Sequence, residues 1–343
     1  MSLARVVRLA AGCVLLAGCG SAPAPSSGAE SLVATDEVRE IVGVLAADSL
    51  EGRRTGTPGS ARASRFLAER MRRYGLEPAG DSGYFQRVTY RPAQGPEGET
   101  LRLAPPDSAD TADAVVDYNL VGLIRGSDHS LSNEAVVLGA HFDHIGIGKP
   151  VEGDSINNGA DDDASGVATV LAAARALAKD PPKRTVVVLL TSGEEYGVLG
   201  TQWYLERPRF PLDSTVADLQ VEMVGRPDTL VGAGKLWLTG FERSTMGEEL
   251  SAAGLPVVAD PRPEFRFFER SDNIVFAMRG IPAHTLSSYG LHRDYHQPSD
   301  EVERIDFDHL ARVADLVTRA ARVLADGPRP SWKAGGRPTP ATP

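Results

Sequence analysis

Acids and histidines able to bind a cation or move a proton fall in four short segments of the chain. In GAHFDH (Gly139–His144), which follows the apolar run AVVL, His141 and Asp143 are two residues apart. In an extended chain they point to the same side. A neutral imidazole can take a metal while a nearby carboxylate fixes its orientation; alone, a strand-end histidine that only bonds the backbone is the plainer alternative. NNGADDDASG (Asn157–Gly166) sets three consecutive aspartates before a helical pattern. One Asp explains a helix cap, but three in a half-buried turn repel one another unless a cation compensates. TSGEEYG (Thr191–Gly197) closes the run TVVVLL with two adjacent glutamates. Such a pair can divide the labour, one as metal ligand and one as general base for a bound water; a paired-acid surface loop is the alternative. RDYHQPSDE (Arg293–Glu301) adds His296 with Tyr295 beside it. A tyrosine hydroxyl can donate to a developing oxyanion.

The elements that would carry these segments alternate. Helical patterns run from Asp36 to Ala46 and from Ser60 to Tyr74, the second stopping at Gly75. Strand-like runs follow at Tyr84–Tyr90, Leu101–Ala104, Val115–Ile124 and Ala135–Ala140. Ala164–Ala178 has a 3.6-residue apolar face, and Thr185–Leu190 is apolar at nearly every position, as in a strand buried on both sheet faces. Further helices are expected at Val198–Leu205, Ser244–Ala253, Ser271–Met278 and Asp306–Leu324, and strands at Ala217–Val221, Lys235–Thr239 and Pro282–Leu286. The alternation predicts an α/β three-layer sandwich, a mixed, largely parallel central sheet flanked by helices. The acids and histidines then fall just past strand ends, where open α/β sheets bind ligands.

With 343 residues, 42% hydrophobic and 24% charged, the chain has the composition of a soluble globular protein. A net charge of −10 and no long Lys/Arg run argue against a nucleic-acid partner. Arg5 and Arg8 precede a short apolar stretch, Leu9–Ala17, too short to span a bilayer. Leu16-Ala17-Gly18-Cys19 resembles a bacterial lipobox, in which the cysteine becomes the lipidated first residue. Residues 1–18 are thus expected to be a leader and 19–35 a flexible tether. A catalytic body is expected over 36–326 and a Pro/Gly-rich disordered tail over 327–343. The expected address is the cell envelope, with export and attachment to the membrane through a lipid on Cys19. Loss of the leader removes two arginines and no acid, leaving −12 over 325 residues. It also takes Cys13, so no thiolate remains for a metal and the ligands must be His and carboxylates.

Taken in order, HFDH, NGADDDASG, a strand ending in SGEE, LQVEMVGR and YHQPSD resemble the M28 family of zinc metallopeptidases, which contains aminopeptidases Y and S; LEGRRTGTPGS near the start is similar too. The resemblance covers roughly Glu37–Ala325 and implies two Zn2+ per chain. His141 and Glu222 would hold one ion, Glu195 and His296 the other, and Asp162 would bridge them. Many members carry Asp at the position of Glu222. Glu194 would be the general acid/base, Asp143 the support of His141, and Tyr295 the oxyanion donor. Nitrogen and oxygen donors without thiolate suit Zn2+, or Co2+ or Mn2+. The implied activity is hydrolysis of peptide substrates, with release of amino-terminal residues. A carboxypeptidase or dipeptidase, a glutaminyl-cyclase-like enzyme or a non-catalytic binding module are the alternatives on the same fold. Met223, Phe267, Phe268, Tyr289 and Leu291 are candidates for an apolar substrate pocket.

Overall fold

The computed structural model describes residues 31–96, 98–105 and 113–339. The expected leader, all but the end of the tether and the last four residues of the tail lie outside the described residues. The body opens with helices α1 (Thr35–Leu45) and α2 (Pro58–Arg73). Thr57 caps α2 by accepting from the Ser60 amide, and Pro58 starts it. Gly75, at φ +78°, follows its last turn. Strands β1 (Glu77–Pro78), β2 (Phe85–Gly95), β3 (Gly98–Leu103), β4 (Val115–Ile124) and β5 (Ala135–His141) come next. A hairpin, β6 (Gly146–Val151) and β7 (Asp154–Asn157), precedes α3 (Gly166–Lys179), β8 (Thr185–Thr191), α4 (Leu199–Glu206) and β9 (Thr215–Val221). The chain then adds β10 (Leu236–Leu238), α5 (Met246–Ala252), β11 (Val257–Ala259), α6 (Asn273–Met278), β12 (Ala283–Ser287) and α7 (Phe307–Asp326).

One ten-stranded sheet runs in the order β11-β10-β12-β9-β5-β8-β4-β2-β3, with β1 paired to β4. Its centre, β12-β9-β5-β8, is parallel. Strand β4 joins that centre antiparallel on one side and β10 on the other. The period-two geometry of β5 and β8 divides the core. Val136, Leu138, Val186 and Val188 pack into the cluster built with α1, α3 and α7, while Val137, Val187 and Leu189 pack with α4 and α6. Both faces are buried, which is why TVVVLL shows no polar alternation. All four parallel strands point their carboxyl ends to one edge; GAHFDH, TSGEEYG and RDYHQPSDE lie at or beyond the ends of β5, β8 and β12, while NNGADDDASG joins the β6–β7 hairpin to α3.

Two features depart from the sequence expectation. The β6–β7 hairpin arises from GIGKPVEGDSIN, whose first strand is exposed at five of six positions, so it carries no apolar signature. The described part of the expected tail is not free. Trp332 donates its Nε1–H to the Gly280 carbonyl at 2.9 Å, its ring meets Phe268 edge-on, and Arg329 pairs with Glu134 at 2.6 Å. Composition describes local propensity there, but a single tryptophan supplies apolar surface that the body covers.

Candidate metal centre

Asp162, Glu195 and His296, three of the residues the family resemblance implies as ligands, lie together, and a fourth side chain, His144, joins them: one ligand-type atom from each lies within 4.8 Å of all the others. His296 Nε2 is 3.2 Å from Asp162 Oδ2 and 3.1 Å from Glu195 Oε2. His141 stands on the other side of the same aspartate, its Nε2 3.4 Å from Asp162 Oδ1. Glu222, at the end of β9, is half-buried and interacts electrostatically with both His141 and Asp162. The two oxygens of Asp162 therefore face two different histidines.

Local structure explains why the middle aspartate is the one aimed inward. Asp161 is fully buried, and its Oδ1 accepts from the Gly225 amide at 2.7 Å and its Oδ2 contacts His292 Nε2 at 2.9 Å. Asp163 accepts from the Met223 amide at 2.9 Å and from Gly166, at the start of α3, at 3.1 Å. The outer two thus tie the turn to the end of β9 and to α3. Asp300, from the same loop as His296, accepts from the amides of Asp161 and Asp162, both at 3.0 Å. Arg53 binds the turn from below. It is fully buried, and its guanidinium donates to the carbonyls of Leu45, Phe142, Asn158 and Gly159. Backbone strain marks the site as well: Met223 and His296 sit at φ +50° and +54°.

Asp143 supports His141 through its backbone, not its carboxylate. The Asp143 carbonyl is 3.2 Å from His141 Nδ1, whereas the nearer carboxylate oxygen is 3.8 Å away. The carboxylate instead accepts from Thr55 Oγ1 at 2.9 Å and from the Glu194 amide at 3.2 Å, so it fixes the start of the glutamate pair. Glu194 is half-buried; desolvation, with Glu222 and Glu195 nearby and against the pull of His141, pushes its carboxyl well above the usual range. Burial and Asp162 likewise raise Glu222 to about 7, opposed by His141. Burial and Asp162 push Glu195 up too, but the contacts with His144 and His296 outweigh them and hold it at about 2. Burial lowers His296 while Asp162 and Glu195 raise it, and the net is about 10. Tyr295 stacks on His296 with ring centroids 3.9 Å apart, and burial beside these carboxylates keeps its hydroxyl protonated, a donor at any ordinary pH.

A divalent cation fits these residues. The Nε2 atoms of His141 and His296 are buried and make no hydrogen bond, although each lies within 3.4 Å of a carboxylate oxygen. They are close but not aligned as donors. Separations near 3.3 Å are about the edges of a tetrahedron whose centre makes bonds of ~2.0 Å. With Asp162, Glu194, Glu195 and Glu222 packed together and no counter-ion, Glu194 and Glu222 are pushed above the usual carboxylate range, a cost that a cation removes.

Beside Glu222 a pocket opens between Met223, Trp237, Phe267 and Tyr289, with Tyr295 at the metal end and the exposed Arg270 at its rim. Three of the five expected pocket residues line it. Phe268 instead lies in the core against His284 and Trp332, and Leu291 is exposed, 37% of its surface in solvent. Trp237 had no sequence signal: it stands on a three-residue strand, 40 or more positions from each of the four segments.

The sequence profile of Peptidase family M28 matches residues 119–321. Leucine aminopeptidase 1 of Blastomyces gilchristii is 30% identical over 225 residues, 61% of this chain and 56% of that protein. The chain spans about half the length, or less, of the curated relatives it matches first. A zinc aminopeptidase from Bacillus subtilis has the same fold, with a TM-score of 0.64 at 16% identity over 87% of this chain and 97% of its own. The glutaminyl cyclase of Porphyromonas gingivalis shares it as well, with a TM-score of 0.60 at 18% identity over 85% and 98%.

Proposed function

The chain belongs to peptidase family M28, and from that premise we propose that it is a zinc aminopeptidase holding two Zn2+ ions. His141 and Glu222 would hold one ion, Glu195 and His296 the other, and Asp162 both. The observation that carries this reading is the division of Asp162 between two imidazoles, the buried His141 at 3.4 Å from one oxygen and the half-buried His296 at 3.2 Å from the other. Bound zinc supplies Lewis-acid polarisation of the scissile carbonyl and a water of lowered pKa. Glu194 accepts the water's proton and passes it to the leaving amine. Its backbone is pinned for that task by Asp143. Tyr295 donates its hydroxyl hydrogen to the oxyanion of the tetrahedral intermediate. The side chain of the first residue enters the pocket of Met223, Trp237, Phe267 and Tyr289, whose aromatic walls suit apolar groups. The leucine aminopeptidases among the relatives support this direction of cleavage.

A screen of the zinc-loaded protein tests the reading. Aminoacyl-p-nitroanilides, amino-blocked peptides with a free carboxyl terminus, and peptides with amino-terminal glutamine are compared. Cleavage of the free-amine set, led by leucine and phenylalanine, is expected. Cleavage of the blocked set alone would replace the proposal with a carboxypeptidase, and cyclisation of glutamine without hydrolysis would replace it with a cyclase.

The address is part of the same proposal. Arg5, Arg8, the apolar stretch Leu9–Ala17 and Cys19 support a lipid anchor at the cell envelope. Expressed in a bacterium, the full chain is expected in the membrane fraction and the Cys19→Ala variant in the soluble one; retention of the variant in membranes contradicts lipidation.

A further inference from the structure

His144 is the side chain at this centre to which the ligand scheme gives no role. It is fully buried one residue beyond Asp143, and Arg54 pairs with it as an isolated β-bridge. Its ring is seated against Gly159, where φ is +56° and a Cβ would come within 2.6 Å of His144 Cδ2. Only glycine suits that backbone and leaves that room. In this seat Nδ1 lies 2.7 Å from Glu195 Oε1, while the other oxygen of Glu195 faces His296 at 3.1 Å. The carboxylate is thus divided, one oxygen to an imidazole outside the ligand scheme and one to the ligand cluster.

Two observations decide whether His144 is a ligand or a donor. The 2.7 Å contact is the length of a charge-assisted hydrogen bond, and shorter than the ~3.3 Å edge between two ligands on one tetrahedral zinc. The far nitrogen decides the tautomer. Nε2 of His144 is buried with no hydrogen-bond partner. Were Nδ1 bound to a metal, the neutral ring would carry its proton on Nε2, as an orphaned buried N–H, the rarer defect in native structures. With the proton on Nδ1, Nε2 keeps only a lone pair.

We infer that His144 is a positioning residue: through Nδ1–H it holds Oε1 of Glu195, so that Oε2 alone is turned toward the ion shared with Asp162 and His296. This rests on the metal reading above and deepens it. Hydrogen-bond partners of metal ligands fix ligand orientation, and losing one costs 10–100-fold in metal affinity. The loss would fall on one site, because His141 and Glu222 make no contact through His144.

The test uses two variants. His144→Asn keeps a donor close to the place of Nδ1, and His144→Phe fills the seat without one. Metal-free proteins are titrated with Zn2+ against a competing chelator, and the visible absorption of the Co2+-loaded forms is recorded, since its intensity and position report the ligands bound to the ion. His144→Phe is expected to weaken one site 10–100-fold and leave the other unchanged. His144→Asn is expected to recover most of that loss with a Co2+ spectrum like that of the parent protein. Equal zinc affinity in His144→Phe and the parent overturns the inference. So does a Co2+ spectrum of His144→Asn altered as for a lost nitrogen ligand, which makes His144 a ligand itself. If His144→Phe fails to fold, as judged by its circular dichroism, the spectrum of His144→Asn still decides. A parent protein that binds no zinc sinks the proposed function instead, and the two failures are told apart in the first titration.

Discussion

At the scale of single residues, three adjacent aspartates with one formula do three jobs, and their partners set which. The Asp162 carboxylate lies against histidines and would hold the ions they share, so Asp162→Asn is expected to lose metal and turnover together while the fold persists. Asp161 binds the Gly225 amide and faces His292 in a fully buried position, so Asp161→Asn is expected to cost stability, about 2–3 kcal/mol, with much of the metal retained. Glu194→Gln is expected to keep zinc and lose 10²–10⁴ in kcat, the usual weight of a general acid/base. Metal analysis, thermal melts and steady-state rates on the three variants separate these outcomes; a metal-loaded Asp162→Asn or a fully active Glu194→Gln removes the role assigned to that side chain. The family resemblance singled out the middle aspartate, and the structure supplies the reason, since the flanking carboxylates are taken by backbone amides. It offered no role for Arg53 or His144. The partners of Arg53 are carbonyls, which leave no trace in residue types, and Glu195 lies 51 positions from His144.

At the scale of elements, legibility follows how much of an element's surface is decided by neighbours. Strand β8 and helix α3 could be read directly, because burial on both sheet faces and on one helix face writes a pattern into the residues themselves. Strand β2 was expected to stop at Tyr90 but continues to Gly95, since antiparallel pairing with β3 carries it outward where alternation fades. Strand β10 has three residues, too few for any period, yet it places Trp237 in the pocket and carries β11 at the sheet edge. The β6–β7 hairpin follows β5 immediately after His144, and its first strand is exposed at five of six positions, so that strand's sequence answers to solvent. The loop after β12 is the most consequential of the irregular segments. Arg226 pins it through Asp294 at 2.7 Å and Asp300 at 2.8 Å, and those two ion pairs set where His296 stands. Both acids are visible in RDYHQPSDE, but their partner lies in VGR at the end of β9, a contact that only the sheet order brings about.

At the scale of the molecule, the centre gathers groups from the ends of four parallel strands, so an ion there ties together parts of the chain far apart in sequence. Without it the same groups oppose folding in a pH-dependent way. Burial and neighbouring acids raise Glu222 and Asp143 to about 7 and Asp300 to about 6. The native metal-free state then binds more protons than the unfolded chain between about pH 4.5 and 7, so its stability falls as pH rises across that window. His296, raised to about 10, acts in the same direction above its unfolded value. The buried His284 and His309, both lowered to about 4, act oppositely below pH 6.5, but they are two against the larger set. Zinc reverses the sign at the centre, because its ligands must be deprotonated to bind and the ion then offsets their charge. Free Zn2+ at about 1,000 times Kd adds about 4 kcal/mol, which for a domain of this size is on the order of 10 °C in Tm. Calorimetric melts with zinc and with chelator at pH 5.5 and pH 8 are therefore expected to differ by more at pH 8, with the metal-free protein the less stable of the two throughout. A gap that is the same at both pH values, or that closes toward pH 8, would mean that the clustered acids are neutralised by something other than a bound cation.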